Sequence, residues 1–231
     1  MICVFDVETT GLVNPEVVQA GYVQYSNTYG IIDTKEKLFK PSKPIEWDAM
    51  GLRGVTNDMV KGKKPWDGSH FVPKETIYLV CHNASFDTQF IDPEVLASVK
   101  VICTLKLAKK LIDKSNSGNH KNSTLYYYLG CYKDPVGKEY LSKTHTAVSD
   151  CVMTLNVLLA ILDKYNLTIE QAYAMMNTPE IEEDINICPF NKYKGQLWAT
   201  VVKNDKDYCQ WLLTSGKIKN PAMAALVKGW L

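Results

Sequence analysis

Two acidic residues follow a short apolar segment near the start of the chain. Residues 2–5, Ile-Cys-Val-Phe, are typical of a buried strand, and Asp-Val-Glu-Thr-Thr-Gly follows at 6–11. Side chains two apart on a strand share a face, so the carboxylates of Asp6 and Glu8 should point into one site. Paired negative charge is costly there without a cation, and oxygen ligands suit Mg²⁺ or Mn²⁺. The alternative, an exposed pair on a loop, is disfavoured by the flanking strand and turn.

Two more acids follow predicted elements. Asp87 ends the string Cys-His-Asn-Ala-Ser-Phe-Asp, directly after the apolar residues 77–80. Asp150 ends Thr-His-Thr-Ala-Val-Ser-Asp and opens the longest helical pattern of the chain. Taken singly, each acid could merely interact with the positive end of a helix dipole. Their order along the chain is more specific.

The three segments resemble the motifs of DEDDh (DnaQ-like) 3′→5′ exonucleases. The motifs are Asp-x-Glu-Thr-Thr-Gly at 6–11, His-Asn-x-x-Phe-Asp at 82–87 and His-x-Ala-x-x-Asp at 145–150. All three are complete, and the resemblance covers about residues 1–165. Within the family the chain is most similar to exodeoxyribonuclease X-like members, although Arg53 stands where relatives commonly carry histidine.

The resemblance implies hydrolysis of phosphodiester bonds with the help of two Mg²⁺ or Mn²⁺ ions. Two such ions about 3.5–4 Å apart can activate a water and stabilise the leaving oxygen. By the family pattern, Asp6 bridges both ions. The same resemblance implies that Glu8 and Asp150 would complete the tighter site and that Asp87 would hold the second ion partly through water. His145 is then the general base, which suits an imidazole that titrates near neutral pH.

Residues beside the acids are expected to contact the terminal nucleotide. The predicted substrate-binding residues are Thr9, Thr10, Gly11, Leu12, His82, Asn83 and Phe86. Gly11 would let the backbone approach closely. Leu12 either packs against a base or closes the local core, and the position of Phe86 is more often core. The five-residue spacing of His145 from Asp150 does not match one helix face, so His145 is expected in the preceding loop.

The alternation of elements predicts an α/β fold. Strands at 2–7, 17–26 and 30–40 should form an antiparallel meander, and strands at 77–81 and 99–103 should pair in parallel. Helices are expected at 48–60, 84–91, 104–114, 123–129 and 146–165, with a mobile surface loop at 113–122. The result is a mixed five-stranded sheet with helices on both faces, the ribonuclease H-like arrangement that the resemblance implies.

Composition changes after an acidic linker predicted at 178–186. The exonuclease domain is expected at 1–177, and a small module at 187–231 carries seven lysines against two aspartates, a net charge of +5. Lysines interleaved with aromatic residues suit nucleic acid. The best exposed candidates are Lys192, Tyr193 and Lys194. Most of the larger aromatic residues are expected to fill the core of the module, namely Phe190, Trp198, Trp211 and Trp230.

Composition also indicates the cellular compartment of the protein and the side chains that can contact phosphates. The seven cysteines are odd in number and lack C-x-x-C spacing, which indicates reduced core thiols. No signal or membrane-spanning segment is apparent, so a cytoplasmic protein without a membrane partner is expected. Arg53 is the only arginine among 26 basic residues. Phosphates must therefore be contacted mainly by lysine.

Three functions stay open on sequence alone. The favoured one is an active exonuclease on 3′ ends of single- or double-stranded DNA, with DNA preferred over RNA only through the exodeoxyribonuclease X resemblance. Contacts to the 2′-OH, which would separate the two, cannot be placed from sequence. The second is a proofreading or accessory subunit that binds a polymerase or other protein through the C-terminal module. The third is a binding module with an inactive site, which the complete set of motif residues disfavours.

Overall fold

The computed structural model describes residues 1–68, 71–142, 146–178 and 185–231. The chain divides into two units, Met1–Asn177 and Thr178–Leu231. All seven cysteines are buried and free of disulfides, as predicted for reduced core thiols. In the described ranges, no helix has both the length and the apolar character that crossing a bilayer requires.

A mixed sheet with the order β3-β2-β1-β4-β5 organises the first unit. The strands are β1 (Ile2–Thr9), β2 (Val17–Ser26), β3 (Gly30–Leu38), β4 (Tyr78–Cys81) and β5 (Lys100–Cys103). The first three form an antiparallel meander, and β4 and β5 extend the sheet in parallel from β1. The predicted five-stranded mixed sheet is confirmed.

Helices cover both faces of this sheet. They are α1 (Trp47–Arg53), α2 (Asn57–Val60), α3 (Ala84–Asp87), α4 (Pro93–Ser98), α5 (Thr104–Leu111), α6 (Lys114–Ser117), α7 (Asn122–Tyr128), α8 (Ala147–Lys164) and α9 (Ile169–Asn177). Short 3₁₀ turns lie at Thr88–Phe90 and Lys138–Ser142. One core packs α5, α7, α8 and α9 against the sheet, a second packs α3 and α4 with the aromatic residues Trp66 and Phe71, and a smaller third packs α1 and α2 against β2.

Two predicted segments differ from the structure. The helix expected at 48–60 is split, because Gly54 takes a left-handed φ of 69° that ends α1, and Thr56 then caps α2. The segment 113–122, expected as a mobile loop, instead contains α6 and the first residue of α7. The Asp113 carboxylate accepts the N–H of Ser115, which caps α6. Helices α4 and α9 are absent from the prediction.

The first turn of α8 lies close to strand β2. A Cβ on Gly21 would lie only 2.7 Å from the backbone carbonyl carbon of Ala147, so a residue without a side chain is required at this approach. Gly21 is the β2 partner of Asp6 on β1. The contact therefore sets the start of α8, and with it Asp150, beside the acidic end of β1.

Hydrogen bonds fix the start of α8 in that position. Thr146 and Ser149 form a capping box, in which each side chain accepts the backbone N–H of the other. The side-chain oxygen of Gln19, on β2, accepts the N–H of Ala147 at 3.1 Å. These bonds satisfy N–H groups that have no partner within the helix.

The described part of the second unit is helical. It comprises α10 (Trp198–Asn204), α11 (Lys206–Thr214) and α12 (Pro221–Trp230), with a 3₁₀ turn at Asn191–Tyr193. Trp198 is fully buried and Phe190 packs against the same core. Trp211 and Trp230 are 52% and 41% exposed, so their predicted place in the core is wrong. Most of the predicted acidic linker at 178–186 lies outside the described residues.

Candidate active site

Three carboxylates lie together where the end of β1 meets the start of α8. Asp6, Glu8 and Asp150 each offer an oxygen, and these oxygens lie within 4.8 Å of one another. Ile2 and Val4 precede the two β1 acids on the same face and pack into the core with α8. Because side chains alternate between the two faces of β1, the same face is apolar where it packs into the core and acidic at the end of the strand.

Asp87 enters the same pocket from α3. The backbone N–H of Val7 donates to Asp87 Oδ1 at 3.3 Å. Strand β1 pairs with β4 only over residues 2–4. The β4 backbone therefore does not pair with Val7, whose N–H donates to Asp87 instead. Asp87 stands outside the group of three ligand atoms described above, although it borders the same space. The pocket has a volume of about 240 Å³ and is lined by the four acids with Val7, Leu52, Arg53, His82, Asn83 and Phe86.

Burial disfavours negative charge on these acids. The pKa of Asp6 is raised well above its usual range, first by burial and then by the charges of Asp87, Glu8 and Asp150. Burial raises the pKa of Glu8 to about 7, although the Arg53 guanidinium opposes this shift. Burial also raises the pKa of Asp87 to about 8, against the hydrogen bond from Val7. The residues fit divalent cations, which would stabilise the ionised carboxylates.

Arg53 contributes positive charge to this pocket. Its Nε forms an ion pair with Glu8 Oε2, and its Nη1 donates to the carbonyl of Thr9 at 3.3 Å. The sequence assigned Arg53 no role. The signal in the sequence was that Arg53 is the single arginine of the chain.

Three predicted substrate-binding residues line the pocket. They are His82, Asn83 and Phe86. Asn83 has a left-handed φ of 67°, a conformation that asparagine tolerates better than most residues, and it begins α3. Burial lowers the pKa of His82 to about 4, so its ring is neutral at neutral pH, and its Nδ1 lies 2.9 Å from the hydroxyl of Thr104.

The predicted contacts in the turn after β1 are arranged differently. Thr9 and Thr10 are buried, and their hydroxyls bond to the Gly11 carbonyl and the Glu16 N–H. A Cβ on Gly11 would collide with the carboxylate of Glu46, so the group that approaches this glycine is a side chain of the protein itself. Glycine is needed there whether or not substrate is bound.

Leu12 and His145 complete the predicted set. Leu12 is 78% exposed, which excludes the alternative that it closes the local core. Its contact with a base stays a prediction. His145 lies outside the described residues, so its assignment as general base also stays a prediction.

Metal binding should strengthen as pH rises. The pKa values of Glu8 and Asp87 are raised to about 7 and about 8, so protons must leave these groups before they can bind a cation. Carboxyl groups with raised pKa values also make the metal-free fold less stable as pH rises from about 4, their unfolded value, through 8. The increase in melting temperature caused by saturating Mn²⁺ should therefore be larger at pH 8 than at pH 6. An equal increase at both pH values would contradict this electrostatic description.

Comparisons with known proteins agree with this geometry. The RNase T family model, described as "Exonuclease", matches residues 3–158. Exodeoxyribonuclease 10 of Escherichia coli (strain K12) is 30% identical over 242 residues, covering 100% of this chain and 99% of the relative. A PolC-type DNA polymerase III of Listeria monocytogenes is 36% identical over 141 residues, covering 53% of this chain but 9% of that protein.

Solved structures show the same fold. Exonuclease X in complex with 5′ overhanging duplex DNA has a TM-score of 0.60 and 27% identity, and covers 77% of this chain and 100% of that one. Cell-death related nuclease 4 has a TM-score of 0.51 and 16% identity, with coverage of 71% and 64%, and supports the fold alone. The family model spans most of the first unit and one relative aligns along the whole chain. The chain therefore belongs to the RNase T family of DnaQ-like, DEDDh exonucleases, which act on nucleic acids.

Proposed function

We propose that this protein is a divalent-metal-dependent 3′→5′ exodeoxyribonuclease. The observation that supports this most strongly is the group of carboxylates from Asp6, Glu8 and Asp150, whose oxygens lie within 4.8 Å of one another. Asp87 borders the same pocket. Four acids with limited access to water suit two Mg²⁺ or Mn²⁺ ions better than any role in stability, because without cations their charges repel.

In the proposed reaction, the four acids and the general base have separate roles. Asp6, Glu8, Asp87 and Asp150 would hold the ions, which would lower the pKa of water and stabilise negative charge on the leaving oxygen. His145 accepts the proton of the attacking water. The water oxygen bonds to the last phosphorus, the bond from that phosphorus to O3′ of the preceding nucleotide breaks, and this O3′ takes a proton from solvent water. The products are a nucleoside 5′-monophosphate and a strand shorter by one nucleotide.

DNA is the proposed substrate because of the relatives that align over most of the chain. One is named an exodeoxyribonuclease, and another is a solved complex with duplex DNA. RNA is the alternative substrate. Buried, unpaired cysteines agree with a reducing compartment, and we place the protein in the cytoplasm.

One degradation experiment tests the activity, its polarity and its substrate. The full chain is incubated with Mg²⁺ and with single- and double-stranded DNA and RNA, each labelled in turn at the 5′ or 3′ end. A 3′→5′ exodeoxyribonuclease shortens 5′-labelled DNA as a ladder and releases 3′ label at once as mononucleotide. Faster shortening of RNA than of DNA would make RNA the substrate. Cuts inside the strand would exclude exonuclease activity.

A second candidate is a proofreading or accessory subunit of a polymerase. It is favoured by matches to PolC-type DNA polymerase III and to the DNA polymerase III subunit epsilon of Buchnera aphidicola, which is 30% identical over 132 residues. This function predicts weak activity of the isolated protein and a strong increase with a polymerase. Full activity alone and no change on addition of a replicative polymerase would exclude it.

We also propose that the C-terminal module binds nucleic acid. Its seven lysines exceed its two aspartates, and Trp211 exposes an aromatic surface stacked on Tyr208 at 5.9 Å between ring centroids. The predicted contact residues Lys192 and Tyr193 are both bonded to Asp205, at 2.6 and 3.0 Å. Trp211 is therefore a better candidate for a base contact than Tyr193.

Removal of the module at residues 187–231, which carries a net charge of +5, should flatten the salt dependence of duplex binding. The deletion removes a basic module with its own core and retains the four acids. Each phosphate contact contributes about 0.9 to the slope of log affinity against log salt for duplex DNA. Affinity is measured from 50 to 200 mM salt with Ca²⁺ in place of Mg²⁺.

A full-length variant serves as the control for the deletion. Trp211→Ala keeps every charge, so it should weaken binding while the slope stays that of the unmodified protein. Equal slopes for the truncated and full-length proteins would assign the module to a protein partner or to stability.

A further inference from the structure

A second groove opens directly beside the catalytic pocket. It has a volume of about 490 Å³ and shares His82 and Asn83 with that pocket. Three of its lining residues are Lys109, Lys114 and Lys121, and none of the described residues that line it carries a carboxylate. An acidic pocket thus continues into a basic groove.

Hydrogen bonds hold the segment that lines the groove beside the candidate active site. His120 Nε2 lies 2.9 Å from the carbonyl of Ile112, and His82 lines the groove together with His120. Asn122 Nδ2 lies 3.5 Å from the backbone carbonyl of Asp150, and donates to the hydroxyl of the residue one turn later at 2.8 Å. The segment that carries two of the lysines is therefore held against the first turns of α8.

The three lysines are open to bind anions. All are exposed, and within the described ranges none of them forms an ion pair. The nearby Asp113 carboxylate accepts the N–H and the hydroxyl of Ser115. A lysine ammonium is a mobile point charge. It can therefore contact phosphates at variable positions, without the fixed geometry of an arginine fork.

We propose that this groove, lined by Lys109, Lys114 and Lys121, holds the phosphate backbone of the substrate strand on the nucleotides that precede the terminal one. The inference rests on the proposed function, since it takes the 3′ end to lie among the acids. A strand that leaves the pocket is repelled by the carboxylates and attracted to the adjoining lysines. Contacts to phosphates carry no sequence information, so cleavage should proceed through any sequence.

The test uses the full-length variant with Lys109→Gln, Lys114→Gln and Lys121→Gln. Two substrates are compared, a 12-nucleotide single strand and the p-nitrophenyl ester of thymidine 5′-monophosphate, which is too short to reach the groove. The ratio of kcat/KM for the strand to that for the ester should fall about 10–100-fold. The salt slope of strand binding in Ca²⁺ should fall by about 2, since each phosphate contributes about 0.7 for single strands.

A matched variant removes the same charge elsewhere. Lys37, Lys74 and Lys133 are exposed and line neither the pocket nor the groove, and their replacement by glutamine should leave the ratio and the slope unchanged. An equal fall in this control would mean that only net charge matters, and would overturn the inference. A third substrate, the same strand annealed to its complement, separates the two strands: a loss of activity confined to this duplex would place the complementary strand in the groove and would also overturn the inference.

The proposed function can fail separately from this inference. If the unmodified protein does not shorten strands from their 3′ ends, the exonuclease proposal is wrong. Binding in Ca²⁺ still reports on the groove in that case. A groove variant that binds the 12-nucleotide strand with an unchanged slope refutes the lysine contacts, whatever the activity.

Discussion

Replacement of Asp6 by asparagine should abolish hydrolysis and at the same time stabilise the metal-free protein at pH 8. The Asp6 carboxylate belongs to the group within 4.8 Å, and burial and neighbouring charges disfavour its ionised form. Asparagine keeps the shape but removes a metal ligand and a repelling charge. Bound metal ions contribute several kcal/mol to the transition state, so the rate should fall at least about 10³-fold.

A control on the same helix as Asp150 separates this effect from a general loss of charge. Asp163 is exposed near the other end of α8, about 20 Å along the helix axis from Asp150. Asp163→Asn should keep the full rate on the labelled 3′ end. Near-normal turnover by Asp6→Asn in Mg²⁺ would remove Asp6 from the metal site. A lower melting temperature of metal-free Asp6→Asn would show that its charge is stabilised by groups other than a metal.

The strands and the shared face of the first acids could be predicted from local pattern. Residues 2–8 alternate on a strand, and a two-residue period needs no knowledge of distant residues to place Asp6 and Glu8 together. The meander was accessible for the same reason, since β2 and β3 are joined by a short turn at Gly30. These features depend on neighbours in sequence.

The surroundings of the acids depend on residues far apart in the chain. Arg53 meets Glu8 across 45 positions, and Glu46 fills the space beside Gly11. The hydrophobic periodicity of a sequence contains no information on contacts between such distant residues. Local polarity was even misleading at 113–122, where a polar segment rich in serine and asparagine suggested a mobile loop. Instead, His120 bonds to the carbonyl of Ile112, and Asn122 bonds to the distant carbonyl of Asp150.

The C-terminal module shows a different limit of sequence. A small domain needs large apolar side chains, and Trp198 does fill its core. Which tryptophans remain exposed is decided by how three short helices meet, and composition does not contain that information. Trp211 is exposed because the core-facing side of α11 is occupied by Cys209 and Leu212, both buried. Exposure of an aromatic residue is thus a finding of the structure alone.

Replacement of His145 by alanine should lower the rate about 10²–10⁴-fold, the usual contribution of a positioned general base. Mn²⁺ affinity should stay close to that of the unmodified protein, because the four acids are retained. At saturating Mn²⁺, the unmodified enzyme should lose rate at acidic pH, where a protonated imidazole cannot accept a proton. This loss should be absent from the variant. Calorimetric titration with Mn²⁺ and a pH series on the nucleotide ester measure both quantities.

Imidazole added to the solution separates proton transfer from a structural role of His145. A free base can enter the space left by alanine and accept the proton of the attacking water, so the rate of the variant should rise with imidazole concentration. Asp150→Asn is the contrast, since imidazole cannot replace a carboxylate ligand and its activity should stay low. Loss of Mn²⁺ binding in His145→Ala would make this residue a ligand instead. An unchanged pH profile without rescue would assign the proton to another acceptor.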